Sequence, residues 1–233
     1  MAASNSFPPY LNHGLLGIPL TLPFQEVKKR KVFFSFHYDD IMRVNNVRNA
    51  WKIDHPDTQT MRSFYDSSLW ESRKLEGPES LKRLIREGVE HTSAICLLIG
   101  SETWSREWVR YEIARAVIDN RGLLGVHINN LNHHVYRSPH PLGLNPFDFI
   151  GVYRKQTGIL DIPQYYLYEK TSSGWYPYPH YTNPVQLPAY LAEPMVRYVQ
   201  PLSSGVPIYD WIGGTGHSNI GSWIDAAAQR VGR

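Results

Sequence analysis

The chain has 233 residues, of which 42% are hydrophobic and 13% aromatic, and a formal net charge of +3. That length supports one sizeable hydrophobic core with an appendage, and the composition excludes a disordered or fibrous chain. The 24 basic residues are spread without a dense run, so no nucleic-acid partner is expected; the one cysteine, Cys96, lies in an apolar run and fits a reducing, cytoplasmic setting.

Residues 1–30 contain several prolines and glycines and read as an extended arm ending in a charged cluster. The apolar stretch at 11–24 is interrupted by Pro19 and Pro23 and is shorter than the roughly 18 apolar residues of a membrane span, so neither export nor anchoring is expected. Regular structure starts at residues 31–37 (KVFFSFH), a β-rich run closed by Tyr38-Asp39-Asp40. A helix over 41–51 follows, with Ile41, Val44, Val47 and Trp51 near helical spacing. A short strand is predicted at 63–66 (SFYD). The next helix, 78–90, has Pro78 in its first turn and Leu81, Leu84, Ile85 and Val89 as its buried stripe.

Residues 93–99 (SAICLLI) form a near-continuous apolar run, as in a parallel strand covered on both faces. A helix over 104–120 and a strand over 123–128 complete a βαβα alternation, which predicts an α/β fold with a doubly wound, mostly parallel sheet. Beyond residue 130 the alternation gives way to a region rich in Pro, His and Tyr. A hairpin is predicted there, 165–169 with 175–178, turning at Ser172-Ser173-Gly174. A last helix, 219–231, docks through Trp223, Ile224 and Ala227. Residues 31–233 thus form one domain with C-terminal elaborations.

Ligands of open α/β sheets bind beyond the carboxyl ends of the strands, which directs attention to 36–43, 66–71 and 100–112. On a helix beginning near Trp104, positions 104, 108 and 112 are four apart and place Trp104, Trp108 and Glu112 along one face, opposite a core stripe of Val109, Ile113, Ala116 and Val117. A carboxylate beside indole rings suits cleavage of a glycosidic C–N bond: it can stabilise an oxocarbenium-like transition state or hold ribose hydroxyls, while aromatic faces hold a planar nicotinamide or adenine. Equally, Glu112 can pair with Arg110 or Arg115 on a solvated face while the tryptophans pack. The residues alone leave both readings open.

Asp39 and Asp40 invite comparison with the acidic pocket of a response-regulator receiver, but that class needs an aspartate at the end of the third strand, where this chain has Ile99-Gly100-Ser101. Asp39 reads as a helix cap or as a ligand contact. Gly213-Gly214-Thr215-Gly216 follows no clear strand and so lacks the context of a dinucleotide fingerprint. His133, His134 and His140 have no cysteine or carboxylate at ligand spacing, so no metal is expected, and there is no P-loop.

The blocks VFFSFHYDD, RVNNVRNAW, DSSLWE, LIGSETWSREWVRYEI, NPFDFIG, YDWI and SWI, taken in order from about residue 31 to the C-terminus, resemble the TIR-like proteins of bacterial Thoeris anti-phage systems. The resemblance implies a flavodoxin-like TIR fold that consumes NAD as a substrate, without a further cofactor, and makes an ADP-ribose-derived, typically cyclic, signal that activates a separate effector protein. The motif WVRYEI places the family's catalytic glutamate at Glu112. Ser35, Phe36, His37 and Asp39 in the first loop, and Trp70 in DSSLWE, match blocks that line the nucleotide pocket. The resemblance also implies self-association. Two other readings stand beside it: a TIR-like scaffold that signals by association without catalysis, and a plain NAD hydrolase.

Overall fold

The structure is a computed structural model that describes residues 30–54, 75–133, 135–156, 158 and 162–233. Along the chain run β1 (Val32–Phe36), α1 (Ile41–Asp54), α2 (Pro78–Glu90), β2 (Ala94–Ile99), α3 (Glu107–Ile118) and β3 (Gly122–His127). They are followed by β4 (Ile150–Lys155), β5 (Gln164–Thr171), β6 (Gly174–Pro177), β7 (Val199–Pro201), β8 (Ile208–Asp210) and α4 (Gly216–Gln229).

The first sheet is parallel throughout, in the order β1-β2-β3-β8. Side chains alternate across its two faces, and both faces are covered. Val32, Phe34, Cys96, Leu98, Leu124 and Val126 pack against α1 and α4 through Val44, Val47, Trp51, Ile220 and Ile224. Phe33, Ile95, Leu97 and Ile99 face the other way, against α2 and α3. This alternation sends Ser35, two residues after Phe33, toward α3.

The second sheet is antiparallel, in the order β6-β5-β4-β7. Its inner face adds Ile150, Val152 and Leu167 to the same core cluster as α2 and α3. Arg110 Nε of α3 meets Glu169 Oε1 of β5 at 2.5 Å. Helix α3 is therefore covered on two sides, and Val109, Tyr111, Ile113, Ala114, Ala116 and Val117 are all buried.

The doubly wound parallel sheet, the buried stripe of α2 and the C-terminal hairpin agree with the expectations. The hairpin closes at Thr171↔Gly174, where Gly174 takes φ +131°, a conformation that favours glycine. Three expectations shift. The helix predicted from Trp104 begins at Glu107, because Thr103–Ser105 is a 3-10 turn and Arg106 is extended at φ −87°, ψ 121°. The last helix runs Gly216–Gln229 instead of 219–231; it docks through Ile220, Ile224 and Ala227, with Trp223 stacked on Tyr209. Strands β4, β7 and β8 were not predicted. The strand expected at 63–66, and most of the arm, lie outside the described residues. Arg30, at the end of the arm, is buried and reaches Asp225 of α4 at 2.5 Å. Among the described residues no helix is long and apolar enough to cross a membrane.

Candidate functional site

Glu112 lies on α3 and Ser35 on β1, 77 residues apart in sequence, and the Ser35 hydroxyl donates a hydrogen bond to Glu112 Oε2. Both are buried: Ser35 is 0% exposed and Glu112 4%. The reading in which Glu112 pairs with Arg110 or Arg115 on a solvated face is thereby excluded. Arg110 is held by Glu169 and Arg115 by Asp119.

Burial dominates the electrostatics of this carboxyl. Removing it from water disfavours the anion and pushes its pKa up to about 8 from 4.5, against the opposing pull of the Ser35 hydrogen bond. The acid is thus largely neutral at pH 7. A cationic ring brought beside it would favour the anion, since opposite charges at close range stabilise each other strongly where water is excluded. A carboxyl perturbed in this way at the ligand edge of an α/β sheet marks a functional candidate.

The other residues named from the sequence are arranged around this pair unevenly. Phe36 follows Ser35 and packs on the opposite face of the sheet, against the α1–α4 cluster. His37, in the loop after β1, is half-buried; burial first, and the Arg106 charge second, lower its pKa, against the opposing carboxylates of Asp39, Asp40 and Glu102. Its Nε2 lies 3.8 Å from Asp39 Oδ2, and the Asp39 side chain is exposed. The row of Trp104, Trp108 and Glu112 expected from helical spacing is not continuous, since only Trp108 and Glu112 lie on the helix. Trp104 precedes the helix and stacks on Phe149 at 5.4 Å, while Trp108 meets the edge of Tyr111 at 6.1 Å. Trp70 lies outside the described residues.

A second buried cluster, not apparent from the sequence, lies near the end of β1. Asp40 and Arg43 are both buried and pair at 2.8 Å, Oδ1 to Nη1. Arg43 Nε donates to the Leu131 carbonyl at 2.8 Å, and its Nη1 lies 3.2 Å from His140 Nδ1. His140 is tied in turn to Asn129 through its backbone and stacks on His133 at 4.9 Å. Gly100 is what admits Asp40, because a Cβ there would stand 1.9 Å from Asp40 Oδ2. The i, i+3 spacing of Asp40 and Arg43 is visible in the sequence, but nothing local connects them to His140. Of the histidines considered as metal ligands, His133 and His140 thus serve to fix the loop after β3, and His134 lies outside the described residues. Among the described residues no group of three or more His, Cys, Asp or Glu side chains is placed to hold a metal.

Residues 33–133 match the family described as Thoeris protein ThsB, TIR-like domain. The chain is also 37% identical over 200 residues to a protein of Bacillus cereus (strain MSX-D12) named "Putative cyclic ADP-D-ribose synthase ThsB1", an alignment that covers 84% of this chain and 99% of that relative.

Proposed function

The chain belongs to the Thoeris ThsB family of TIR-like proteins, and from that premise we propose that it cleaves the nicotinamide–ribose bond of NAD at Glu112 and closes the ADP-ribose portion into a cyclic signal molecule. The observation that carries the reading is the buried Ser35–Glu112 pair at the ligand edge of the parallel sheet. The relative's name supplies the direction of the chemistry.

The nicotinamide ring of NAD is cationic, so its entry beside Glu112 favours the carboxylate form. The C1′–N bond then breaks with its electron pair going to the nicotinamide nitrogen, which leaves as neutral nicotinamide. Positive charge moves onto the ribose, and the Glu112 carboxylate stabilises it or holds the ribose hydroxyls. An adenine ring nitrogen of the same molecule attacks C1′ and forms the new C–N bond. If water attacks instead, the product is free ADP-ribose and a proton. Neither route needs an oxidant, a metal or a further cofactor. Ser35 acts through Glu112 as a positioning residue, fixing the carboxyl by its hydroxyl. The signal in this reading activates a separate effector protein, in a cytoplasmic defence response that depends on self-association of this chain.

Incubation of the purified chain with NAD, followed by mass spectrometry, tests the reading: it requires free nicotinamide and a product one water lighter than ADP-ribose. Free ADP-ribose alone would make the chain a plain hydrolase. Glu112→Gln keeps the size and the hydrogen bond but removes the charge, and should lower the rate by about 10² to 10³, as loss of one preorganised electrostatic partner does. Glu107→Gln, on the exposed start of the same helix with its carboxylate 60% exposed, should be nearly neutral. One observation favours a second reading, a scaffold that associates without cleaving NAD: Glu112 is closed off against Ser35. Absence of NAD loss from wild type and Glu112→Gln alike, with both folded, would establish that reading.

A further inference from the structure

The outer face of the antiparallel sheet carries a groove that the reaction at Glu112 does not use. Its cavity is about 290 Å³ and is lined by Tyr153, Lys155, Tyr166, Tyr168, Pro177 and Tyr181. The register explains why these side chains meet. Tyr153 pairs with Tyr166 across β4 and β5, and Lys155 with Gln164, so Tyr153, Lys155, Tyr166 and Tyr168 share the face opposite to the buried Val152 and Leu167.

Two physical features stand out. The first is flat aromatic area: Tyr153 and Tyr168 stack at 4.6 Å, and Trp175 continues the platform over Gly151, where a Cβ would come within 3.1 Å of Trp175 Cη2. The second is charge of one sign. Lys155 Nζ sits 5.5 Å from the centre of the Tyr166 ring, and Lys170 lies on the same face, paired in register with Trp175. The single carboxylate of the four strands, Glu169, points to the opposite face, where Arg110 holds it. Aromatic faces beside an ammonium group, with no carboxylate on the outer face of the described strands, suit a ligand that is planar at one end and anionic at the other.

We propose that this groove is a binding site for a mononucleotide, with the base on the tyrosine platform and the phosphate on Lys155, separate from the Glu112 site. At about 290 Å³, just under the roughly 300–1,000 Å³ of ligand sites, the groove matches one nucleotide better than two. The proposal does not rest on NAD cleavage and stands or falls without it.

Calorimetric titration of the full chain with AMP tests it, with adenosine as the probe lacking a phosphate. AMP should bind, and adenosine should bind about tenfold more weakly or less, the scale of one charge-assisted contact. Lys155→Glu should weaken AMP by at least about tenfold, and Tyr153→Ala by a similar factor through lost stacking. Lys155 is exposed, so Lys155→Glu should fold normally and keep the wild-type rate of NAD cleavage. The proposal is overturned if AMP does not bind at millimolar concentration, or if Lys155→Glu leaves AMP binding unchanged, which would place AMP elsewhere. It is equally overturned if a short oligoadenylate binds far more tightly than AMP, or if sedimentation shows a dimer that Lys155→Glu disperses and AMP does not, which would make the face a contact between copies of this chain.

Discussion

In the parallel sheet, β2 is buried at all six of its positions, whereas β5 of the antiparallel sheet, with eight residues, buries only Leu167 fully. The two sheets are nevertheless joined in one core cluster, because α3 lies between them and offers apolar residues to both. The contrast separates two uses of a sheet. Covered on both faces, the first sheet can exclude water from a carboxyl at its edge and raise its pKa. Covered on one face, the second buttresses α3 with its inner side and leaves its outer side free to carry tyrosines and lysines. On this view the second sheet matters to Glu112 indirectly: it holds the far side of the helix that carries it.

The most severe test of this arrangement is Gly100→Ala. The added Cβ would stand 1.9 Å from Asp40 Oδ2, so Asp40 must move away from Arg43. Breaking a buried pair by displacing one partner costs about 3–5 kcal/mol. Because one core spans both sheets, the loss should appear as a single thermal transition at lower temperature, with tryptophan fluorescence and backbone circular dichroism changing together. Two separated transitions would show that the sheets unfold independently and would break the comparison at its root.

That sharing of one core also explains what the sequence could and could not disclose. From β1 to β3 the elements are read from local periodicity: α2 was expected at 78–90 and runs Pro78–Glu90, and SAICLLI contains β2. Strands β7 and β8 have only three residues each. They owe their existence to partners far along the chain, β4 for β7 and β3 for β8, and a three-residue strand has no period to detect. The candidate site divides in the same way. Glu112 was legible through WVRYEI and its place on a helix, but its contact with Ser35, its burial from two sides, and the Asp40–Arg43–His140 cluster all depend on contacts 77 or 97 residues apart, apart from the local Asp40–Arg43 pair. The expected row of tryptophans is interrupted by a local feature: the extended backbone at Arg106 detaches Trp104 from the helix that carries Trp108 and Glu112.

A smaller effect, and one that tests the burial of Glu112 directly, is its imprint on stability as a function of pH. The folded pKa is raised to about 8, while the unfolded carboxyl stays near 4.5. Below about pH 4.5 both states hold the proton and the stabilising contribution is fully present. Between 4.5 and 8 the unfolded state gives up the proton while the folded state retains it, so the contribution falls as pH rises and is lost above 8. Glu112→Gln has no proton to lose. The difference in melting temperature between it and wild type should therefore widen in favour of the variant from pH 5 to pH 8, by several degrees. Parallel melting curves across that window would mean that water reaches the carboxyl, and the account of its neutral resting state would fail.

The smallest expected effect concerns the charged link between the two sheets. Arg110 on α3 and Glu169 on β5 meet at 2.5 Å, with side chains 21% and 20% exposed, and Arg110 Nη1 also donates to the Trp104 carbonyl at 3.2 Å. A half-buried pair gains more than the 0–1 kcal/mol typical of exposed ones, but each charge keeps some water, and the inner apolar residues of β4 and β5 bind the sheets without it. Glu169→Gln preserves the shape and can still accept from Arg110, so it removes only the charge. The expected cost is about 1 kcal/mol, or a melting temperature lower by roughly 2–4 °C for a chain of this size. High salt should narrow the gap between wild type and variant only partly, because the pair is shielded from counterions. NAD cleavage should change little, since the apolar contacts alone keep α3 in place. A large loss of cleavage in folded Glu169→Gln would show instead that this charge, and not the shared apolar core, is how the antiparallel sheet holds Glu112 in position.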